Sequence, residues 1–581
     1  MSTLRVWAPE AATVEIEAGG QRHALVPLAG DWWEAELPDL AAGEDYAYAL
    51  DGGEPLPDPR SMHQPHGVHG PSRVVDPGSF DWHDADWHGV PLAGGVIYEL
   101  HVGTFTPEGT LDAAIGKLDH LATLGVDFLE LLPVTAFPGQ HGWGYDGVAL
   151  YAVHEAYGGP AALARFVDAA HVRGLGVILD VVYNHLGPSG NYLERYGPYF
   201  TQRHQTPWGP AVNYDDVGSA EVRRFVVENA RMWLRDYHVD GLRLDAVHAI
   251  IDTSAVPILE QLAADVEWLG AHLRRTMFLI AESDLNDPRM VRSREAGGHG
   301  MDAVWSDDFH HALHAVLTGE RSGYYADFGE LDHLATAFAE GYVYAGQHSA
   351  YRGRIHGRPP VLVPTYRFLG YLQDHDQVGN RARGERSAAL MSQGRLRVGA
   401  ALVLLAPFTP MLWMGEEWGA STPWQYFTDH DDPALADSVR RGRRAEFAAF
   451  GWKPSEVPDP QDPATFTRSK LNWAEVTETS HAELLEWHRK LLALRRAEPA
   501  FTDPQFQHVS VSYDEDAGWL VLGRGSTMLV VANVSRERQL VPIDGTPIDV
   551  LAASAHGFAF AAGAVEIDGE SVCIVRLSQF G

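Results

Sequence analysis

The stretch GLRLDAVHAI, residues 241–250, brings full charges into an apolar pattern. Leu242 and Leu244 can pack on one side of a strand, whereas Arg243 and Asp245 place a positive and a negative charge in the same segment. Charged side chains are rarely buried unless they are paired or have a chemical task. We therefore interpret Asp245 as a carboxylate with a chemical function and Arg243 as the group that keeps it ionised.

Three other carboxyl groups stand at or just past the ends of apolar segments: Asp180, Glu282 and Asp376. His185 and His375 lie close to them in the sequence. Each carboxyl alone could simply cap a turn, but four at one rim favour glycoside cleavage. In that reaction one carboxylate attacks the anomeric carbon, and a second carboxyl protonates the leaving oxygen and later activates water.

The elements that would position these groups alternate between strands and helices. Helical patterns separate the apolar segments; one helix carries Leu111, Ile115, Leu118 and Leu121 on one face, and another helix precedes the segment at 239. Eight strands in alternation with helices predict an α/β fold, a (β/α)8 TIM barrel with its active site at the carboxyl ends of the strands. An open doubly wound sheet is the alternative, but no G-x-G-x-x-G follows the first strand. The predicted strands are 95–103, 126–134, 176–181, 239–245, 277–282, 301–306, 368–374 and 410–415.

Short alternating runs closed by glycine turns flank the barrel region on both sides. We predict an N-terminal β-sandwich over residues 1–90, the catalytic barrel over 91–497, and a C-terminal β-sandwich over 498–581. Trp7, Trp32 and Trp33 of the first sandwich could bind glycan, although packing within that domain is the simpler interpretation.

Four segments resemble the ordered signature regions of the α-amylase family of glycoside hydrolases: DVVYNH (180–185), GLRLDAVH (241–248), IAES (280–283) and LQDHDQ (372–377). The resemblance implies that Asp245 is the nucleophile, Glu282 the general acid/base and Asp376 the transition-state stabiliser. It implies that Arg243 holds Asp245, that His185 and His375 bind sugar hydroxyls, and that Tyr145 of GWGYDG stacks under the reacting sugar. We also expect Trp143 and Glu417 to contact substrate. Asp180 and Asn184 are more often structural in the family. Asp374 departs from the family's usual asparagine.

Within that family, the opening RVWAPEAATVEIE resembles the domain before the barrel in isoamylases, branching enzymes and maltooligosyltrehalose trehalohydrolases. Residues 374–386, 413–430 and 440–452 are similar to the trehalohydrolases. The implied reaction is retaining hydrolysis of the α-1,4-glucosidic bond next to the terminal trehalose of maltooligosyl trehalose. A maltooligosyltrehalose synthase would then supply the substrate.

Two alternatives stay open at this point. A glycogen branching or debranching enzyme of the same family would act on α-1,6 linkages, and a non-catalytic α-glucan-binding protein would keep the barrel without activity. The long segment 416–475 follows the eighth strand, and its length favours a functional role. Its run of arginines, 440–444, either forms a solvated basic helix or walls the subsites that recognise trehalose.

Charge and composition limit the classes of molecule that this protein could bind. The chain has 581 residues and a formal net charge of −34, which disfavours nucleic acid and leaves a neutral glucan as a suitable substrate. We expect no membrane span and no secretory signal. A single cysteine, Cys573, fits a reducing compartment, so we predict a cytoplasmic protein. His310 and His314 have i, i+4 spacing but lack the acidic partner of a zinc motif, so we interpret their helix as a surface helix. We expect no metal and no nucleotide or redox cofactor.

Overall fold

The computed structural model describes residues 2–448, 453 and 456–578. Two antiparallel sheets precede the barrel, and their buried residues, including Val6, Val14 and Tyr48, belong to one apolar core. Val14 and Ile16 alternate with more exposed residues, as expected for a strand with one covered face. The three-stranded sheet is ordered Ser2–Trp7, Trp32–Leu37, Val26–Pro27, and the four-stranded sheet is ordered Gln21–Ala24, Val14–Ala18, Asp45–Leu50, Ser72–Arg73.

Eight parallel strands close into a barrel in chain order, which confirms the predicted TIM barrel. The strands are short and almost wholly buried, because helices cover their outer face and side chains fill the interior. Seven of the predicted segments contain their barrel strand, and the eighth, 410–415, overlaps a strand that begins one residue earlier; the hydrogen-bonded strand is generally shorter than the apolar segment. From the first barrel strand to the eighth, the bounds are Ile97–Leu100, Phe128–Leu131, Gly176–Val181, Gly241–Leu244, Phe278–Ala281, Ala303–Trp305, Phe368–Gly370 and Thr409–Trp413.

Helices surround the barrel and pack apolar side chains against it. The helix Ser219–Asp236 buries Val222, Phe225 and Trp233, in agreement with its sequence pattern. The predicted helix around Leu111 is two helices, because the first ends at Gly116. Within the described ranges, none of the helices has the length and apolarity needed to cross a bilayer. The α-helices are Val102–Phe105, Leu111–Ile115, Leu118–Leu124, Gly159–His171, Leu193–Tyr196, Ser219–Asp236, Ile258–Leu273, Asp307–Thr318, Leu331–Glu340, His375–Gly379, Ser387–Leu390, Gln393–Leu404, Pro433–Ala448, Pro463–Arg468 and Thr479–Ala497.

The helix Asp307–Thr318 corrects the expectation of a surface helix. His310, His311 and His314 are all buried. His310 stacks on Tyr371, and His314 stacks on Tyr325. Imidazoles can fill an apolar interface through their ring faces, so these histidines form core rather than surface. Among the described residues, no three His, Cys, Asp or Glu side chains are grouped to hold a metal ion.

Three small hairpins extend the loops around the barrel. The pairs are Thr135–Ala136 with Ala149–Val153, Phe200–Thr206 with Gly209–Val212, and Gln347–Ser349 with Arg354–His356. The second hairpin carries Trp208 at its turn, and this side chain is half exposed. The described 3-10 turns are Pro77–Ser79, Glu155–Tyr157, Val247–Ala249, Arg294–Ala296, Gly323–Asp327, Thr365–Arg367, Glu416–Trp418, Trp473–Thr477, Pro499–Thr502 and Phe506–His508.

Two antiparallel sheets follow the barrel and enclose a separate core that includes Val531, Val541, Val565 and Val575. This second β-rich region agrees with the predicted C-terminal sandwich. The five-stranded sheet is ordered Val509–Asp514, Trp519–Arg524, Met528–Asn533, Ser571–Leu577, Pro547–Ala553, and the three-stranded sheet is ordered Gln539–Pro542, Ala564–Ile567, Phe558–Ala561.

Candidate active site

The four carboxyl groups singled out in the sequence lie at the carboxyl end of the barrel. Asp180 is in the third barrel strand, and Asp245 and Glu282 directly follow the fourth and fifth strands. Asp376 lies on the short helix His375–Gly379, which comes after the seventh strand. Since parallel strands end at the same rim, four segments far apart in sequence meet there.

One guanidinium group joins three of these carboxyls. Nη1 of Arg243 lies 2.7 Å from Oδ2 of Asp180 and 2.9 Å from Oδ1 of Asp245. Nη2 lies 3.1 Å from Oε2 of Glu282. Arg243 is fully buried, and its guanidinium lies over the ring of Trp305 at 4.4 Å. The planar fork of arginine can reach several carboxyls at once, which a lysine ammonium cannot do.

Asp245 is held in its ionised form. Burial acts to raise the pKa of its carboxyl, but the charge of Arg243 and a hydrogen bond from Asn184 outweigh burial, so the pKa lies below 3.8. Nδ2 of Asn184 donates to Oδ2 of Asp245 over 2.8 Å and to its backbone oxygen over 2.7 Å. This carboxylate is therefore charged at neutral pH and fixed at both oxygens.

The surroundings of Glu282 favour its protonated form. Burial raises the pKa of its carboxyl well above 4.5, and the charges of Asp245 and Asp376 add to this effect against the opposing charge of Arg243. The backbone N–H of Ala246 donates to Oε2 over 2.6 Å. Ala246 has a φ of +39°, a conformation that side chains rarely adopt, and such strain is typical of functional sites. The pKa values of two neighbouring carboxyls are thus driven in opposite directions.

Asp376 is the most open of the predicted catalytic carboxyls, with a side chain that is 41% exposed. Nδ2 of Asn380 donates to its Oδ1 over 3.2 Å, and Nε2 of His375 lies 3.7 Å away. The preceding residue, Asp374, caps this short helix by accepting from the backbone N–H of Gln377 over 2.6 Å. The aspartate at this position therefore serves as a buried helix cap.

The predicted sugar-binding side chains meet beside the carboxyls. Tyr145 donates to Oδ2 of Asp180 over 2.6 Å, and its ring stacks on His375 at 5.1 Å. Nε2 of His185 lies 2.9 Å from the backbone oxygen of Tyr145. His185 also stacks on Trp208 at 4.4 Å, and burial lowers the pKa of its imidazole.

A cleft of about 460 Å³, a volume suited to a small number of sugar units, lies beside these side chains. Tyr145, His185, Trp143 and Trp208 are on its wall, together with Tyr426 from the segment 416–475. Trp143 is 6% exposed and stacks on Trp424 at 4.4 Å. The cleft combines flat rings with polar groups, as a sugar site requires.

Glu417 does not reach the cleft, which corrects the expectation that it contacts substrate. Its side chain is fully buried. Both carboxyl oxygens lie 3.1 Å from the hydroxyl of Tyr98, and Oε1 lies 2.9 Å from Nε2 of His120. A buried carboxyl needs partners, and the turn after the eighth strand directs this side chain inward to find them.

The first part of the segment 416–475 packs against the barrel domain rather than forming open surface. Trp418, Trp424 and Phe427 are fully buried. Its helix Pro433–Ala448 carries the arginine run, and Arg443 reaches back toward the site. Nη2 of Arg443 donates to the backbone oxygen of Gly379 over 2.5 Å, and Nη1 donates to Oδ1 of Asn380 over 2.9 Å. Residues 449–452, 454 and 455, which include the end of the predicted similarity at 440–452, lie outside the described residues.

Sequence reasoning kept Asp180 and Asn184 out of the catalytic set, and the structure gives both direct contacts within the site. It missed Glu99 and Glu130, which lie in the first and second barrel strands and are buried. The signal was available, since each is a charged residue inside an apolar run, IYEL and FLEL. What could not be read from those runs is that Glu99 contacts His375 of the site.

Comparisons with known proteins give consistent findings. A model of the alpha amylase catalytic domain matches residues 75–208, and a model of a domain of unknown function, DUF3459, matches residues 504–574. A malto-oligosyltrehalose trehalohydrolase from Arthrobacter ramosus is 53% identical over 582 residues, covering 98% of this chain and 99% of the relative. One from Rhizobium sp. (strain M-11) is 54% identical over 535 residues, covering 90% of each. A 1,4-alpha-glucan branching enzyme from Corynebacterium jeikeium (strain K411) is more distant, at 27% identity over 465 residues, covering 72% of this chain and 61% of that enzyme.

Solved structures agree with this relationship. A crystal structure from Salmonella typhimurium, described as an alpha amylase, has a TM-score of 0.91 and 38% identity, covering 99% of this chain and 97% of that chain. A pullulanase from Anoxybacillus sp. LM18-11, complexed with maltotetraose, has a TM-score of 0.73 at 17% identity, covering 99% and 86%. The second likeness concerns the fold alone.

Proposed function

This chain belongs to the malto-oligosyltrehalose trehalohydrolases, a group of α-amylase-type glycoside hydrolases, and we propose that it releases trehalose from maltooligosyl trehalose. The bond cleaved is the α-1,4-glucosidic bond next to the terminal trehalose, and the second product is a shortened maltooligosaccharide. α-1,4-Glucans that end in trehalose are therefore the substrate class.

The observation that carries this proposal is the pair of carboxyls on Arg243. Asp245 and Glu282 contact the same guanidinium, and their surroundings drive their pKa values in opposite directions. An ionised carboxylate beside a protonated carboxylic acid is the pairing that acid-assisted glycoside cleavage needs. Because both groups contact one small planar ion, they are close neighbours, which favours the retaining arrangement of about 5 Å over the wider inverting arrangement.

In the first step, Asp245 attacks the anomeric carbon of the glucose unit that is linked to trehalose. Glu282 gives its proton to the glycosidic oxygen as the bond breaks, so trehalose departs with a complete hydroxyl group. A glucosyl ester of Asp245 forms, and Glu282 is left ionised. Asp376 faces the anomeric centre with its negative charge and stabilises the oxocarbenium-like transition state.

In the second step, ionised Glu282 removes a proton from water, and the water oxygen attacks the same anomeric carbon. The ester bond to Asp245 breaks, and Arg243 again stabilises the free carboxylate. Two inversions give net retention, so the new reducing end has the α configuration. Tyr145, His185 and His375 bind the reacting glucose by stacking and by hydrogen bonds to its hydroxyls.

The pathway and the location are also proposals. The substrate carries a trehalose unit at one end, so an enzyme that rearranges the reducing end of a maltooligosaccharide, a maltooligosyltrehalose synthase, must precede this one in trehalose biosynthesis. A cytoplasmic location rests on cysteine content, because the single Cys573 is buried and unpaired, as is common in reducing compartments.

A product analysis tests the proposed function. Purified protein is incubated in parallel with maltotriosyl trehalose, maltopentaose and a branched glucan, and the products are separated by chromatography. Fast release of trehalose from the first substrate, with slow attack on the others, supports the proposal. Preferential attack on the branched glucan would instead indicate a branching or debranching enzyme, and no turnover of any substrate would indicate a glucan-binding protein.

A further inference from the structure

Glu99 is a buried carboxyl that makes a two-point contact with a predicted sugar-binding residue. It lies in the first barrel strand and is 1% exposed. Its Oε2 accepts a hydrogen bond from the backbone N–H of His375 over 3.1 Å, and its Oε1 lies 2.5 Å from Nδ1 of the same residue. The two contacts fix both the position and the rotation of the imidazole ring.

The hydrogen bonds on the other side of the ring determine where His375 carries a hydrogen. The hydroxyl of Tyr145 has one hydrogen and donates it to Asp180, whose same oxygen accepts from Arg243. The oxygen of Tyr145 must therefore accept from Nε2 of His375, which is 2.8 Å away. Nε2 carries a hydrogen, and the opposite nitrogen, Nδ1, shares a proton with Glu99.

Glu130 is a second buried carboxyl next to Glu99, but it lacks such a contact. Glu130 lies opposite Glu99 across the first and second barrel strands and is equally buried. Among the described residues, neither of its carboxyl oxygens has a hydrogen-bond partner. Burial, together with the proximity of Glu99, raises the pKa of Glu130 well above its ordinary value. Glu99 is thus the member of the pair that interacts with the site.

We propose that Glu99 is a positioning residue for the glycosidic reaction. It holds the imidazole of His375 with a hydrogen on Nε2, which the oxygen of Tyr145 accepts in the free protein and a hydroxyl of the reacting sugar accepts in its place once substrate is bound. The inference rests on the proposed function for the identity of that sugar. Glu99 itself touches no substrate and acts only through His375.

A double-mutant cycle tests whether Glu99 acts through His375. The variants are Glu99→Leu, Glu99→Gln, His375→Asn and the double variant Glu99→Leu/His375→Asn, with Glu130→Gln as the matched control. The readouts are kcat/KM and the melting temperature, measured on the substrate that the wild-type protein cleaves fastest. The amide of glutamine can accept from the backbone N–H and donate to Nδ1, so Glu99→Gln retains the hydrogen on Nε2.

We expect Glu99→Leu to lower kcat/KM by about 10- to 100-fold, by analogy with the range found when a partner that orients a metal-binding histidine is removed. In the His375→Asn background, the same change should lower kcat/KM by less than about 3-fold. If the two residues acted independently, the full loss would appear in both backgrounds. Glu99→Gln and Glu130→Gln should remain within about 5-fold of wild type. An equal loss in both backgrounds, or a glutamine variant as poor as the leucine variant, overturns the proposal.

A second measurement does not depend on the leucine variant folding. Wild-type protein labelled with ¹⁵N-histidine should show, among the signals that disappear in His375→Asn, an Nε2 that bears a hydrogen. An Nε2 without a hydrogen overturns the proposal. The proposed function fails separately, if the wild-type protein releases no trehalose, because the nitrogen spectrum is recorded without substrate.

Discussion

Replacing Arg243 with methionine tests whether one guanidinium sets the protonation of the active-site carboxyls. The substitution keeps the apolar stem of the side chain and removes contacts of 2.7, 2.9 and 3.1 Å to Asp180, Asp245 and Glu282. Removing one partner of a buried ion pair costs about 3–5 kcal/mol in the free energy of unfolding. The carboxyls can take up protons to lower that cost, so we expect a loss of about 3 kcal/mol.

The rate should fall because the nucleophile loses its partner. A hydrogen bond between charged groups contributes about 1.5–3 kcal/mol, which corresponds to about 10- to 150-fold in kcat/KM. The pKa of Asp245 in the wild type is depressed, so the acidic limb of the pH–rate profile should move to higher pH in the Arg243→Met variant.

The pH dependence of stability has the same origin. Because the folded pKa of Asp245 is lower than the unfolded one, this carboxyl stabilises the fold above the unfolded pKa, and that contribution is lost as the pH falls through the folded pKa. In the Arg243→Met variant, the free energy of unfolding should therefore fall less steeply as the pH decreases.

The assays are kcat/KM from pH 3 to 9 and denaturant unfolding at several pH values. Arg165→Met is the matched control, since Arg165 pairs with Asp112 at 2.7 Å on the exposed surface and should cost at most about 1 kcal/mol. An unshifted acidic limb, with activity within 3-fold of wild type, would refute the role assigned to Arg243.

Four further predictions concern the catalytic pair, Arg443 and Glu417. Asp245→Asn should lower kcat/KM by at least about 10⁴-fold and Glu282→Gln by about 10²- to 10⁴-fold, both with normal melting temperatures. A substrate with a nitrophenyl leaving group should restore much of the Glu282→Gln rate, because that leaving group needs no acid. Near-normal activity of either variant would reject the role of the replaced residue. Because the pKa of Glu282 is raised, the basic limb of the wild-type pH–rate profile should begin only as the pH rises through that pKa. A basic limb that persists unchanged in Glu282→Gln would contradict this assignment. Arg443→Met should lower kcat on trehalose-ended and plain substrates alike, because Arg443 supports the helix that carries a catalytic carboxyl. Arg444 is exposed, so Arg444→Met should not lower kcat. A loss confined to trehalose-ended substrate would show that Arg443 recognises trehalose directly. Glu417→Gln should lower the melting temperature and leave KM unchanged, and a raised KM would return Glu417 to the substrate site.

The sequence alone determined the barrel and its catalytic rim. Each strand is a short apolar run with its own boundaries, so eight runs separated by helical periodicity were enough to predict the closed barrel. Asp245 and Glu282 could be placed at the rim because each directly follows such a run. That the two residues lie close together followed from the topology, since parallel strands in a barrel end at one face.

The tertiary structure alone decided which way side chains turn after the strands end. Glu417 and Tyr145 both lie in loops near the rim, yet one is buried against Tyr98 and the other lines the cleft. The same applies to Arg443, which belongs to a basic run but contacts the backbone at Gly379. The local sequence pattern shows the hydrophobic periodicity of a helix or a strand. The direction of a loop side chain, in contrast, depends on partners that are hundreds of residues away in sequence.

The protonation states belong to the tertiary structure for the same reason. Asp245 and Glu282 are chemically similar carboxyls, and their sequence positions do not tell which one is charged. Burial, the shared guanidinium of Arg243 and the hydrogen bond from Asn184 separate their pKa values. These electrostatic interactions act over a few ångströms in space, so only the folded chain brings the responsible groups within range.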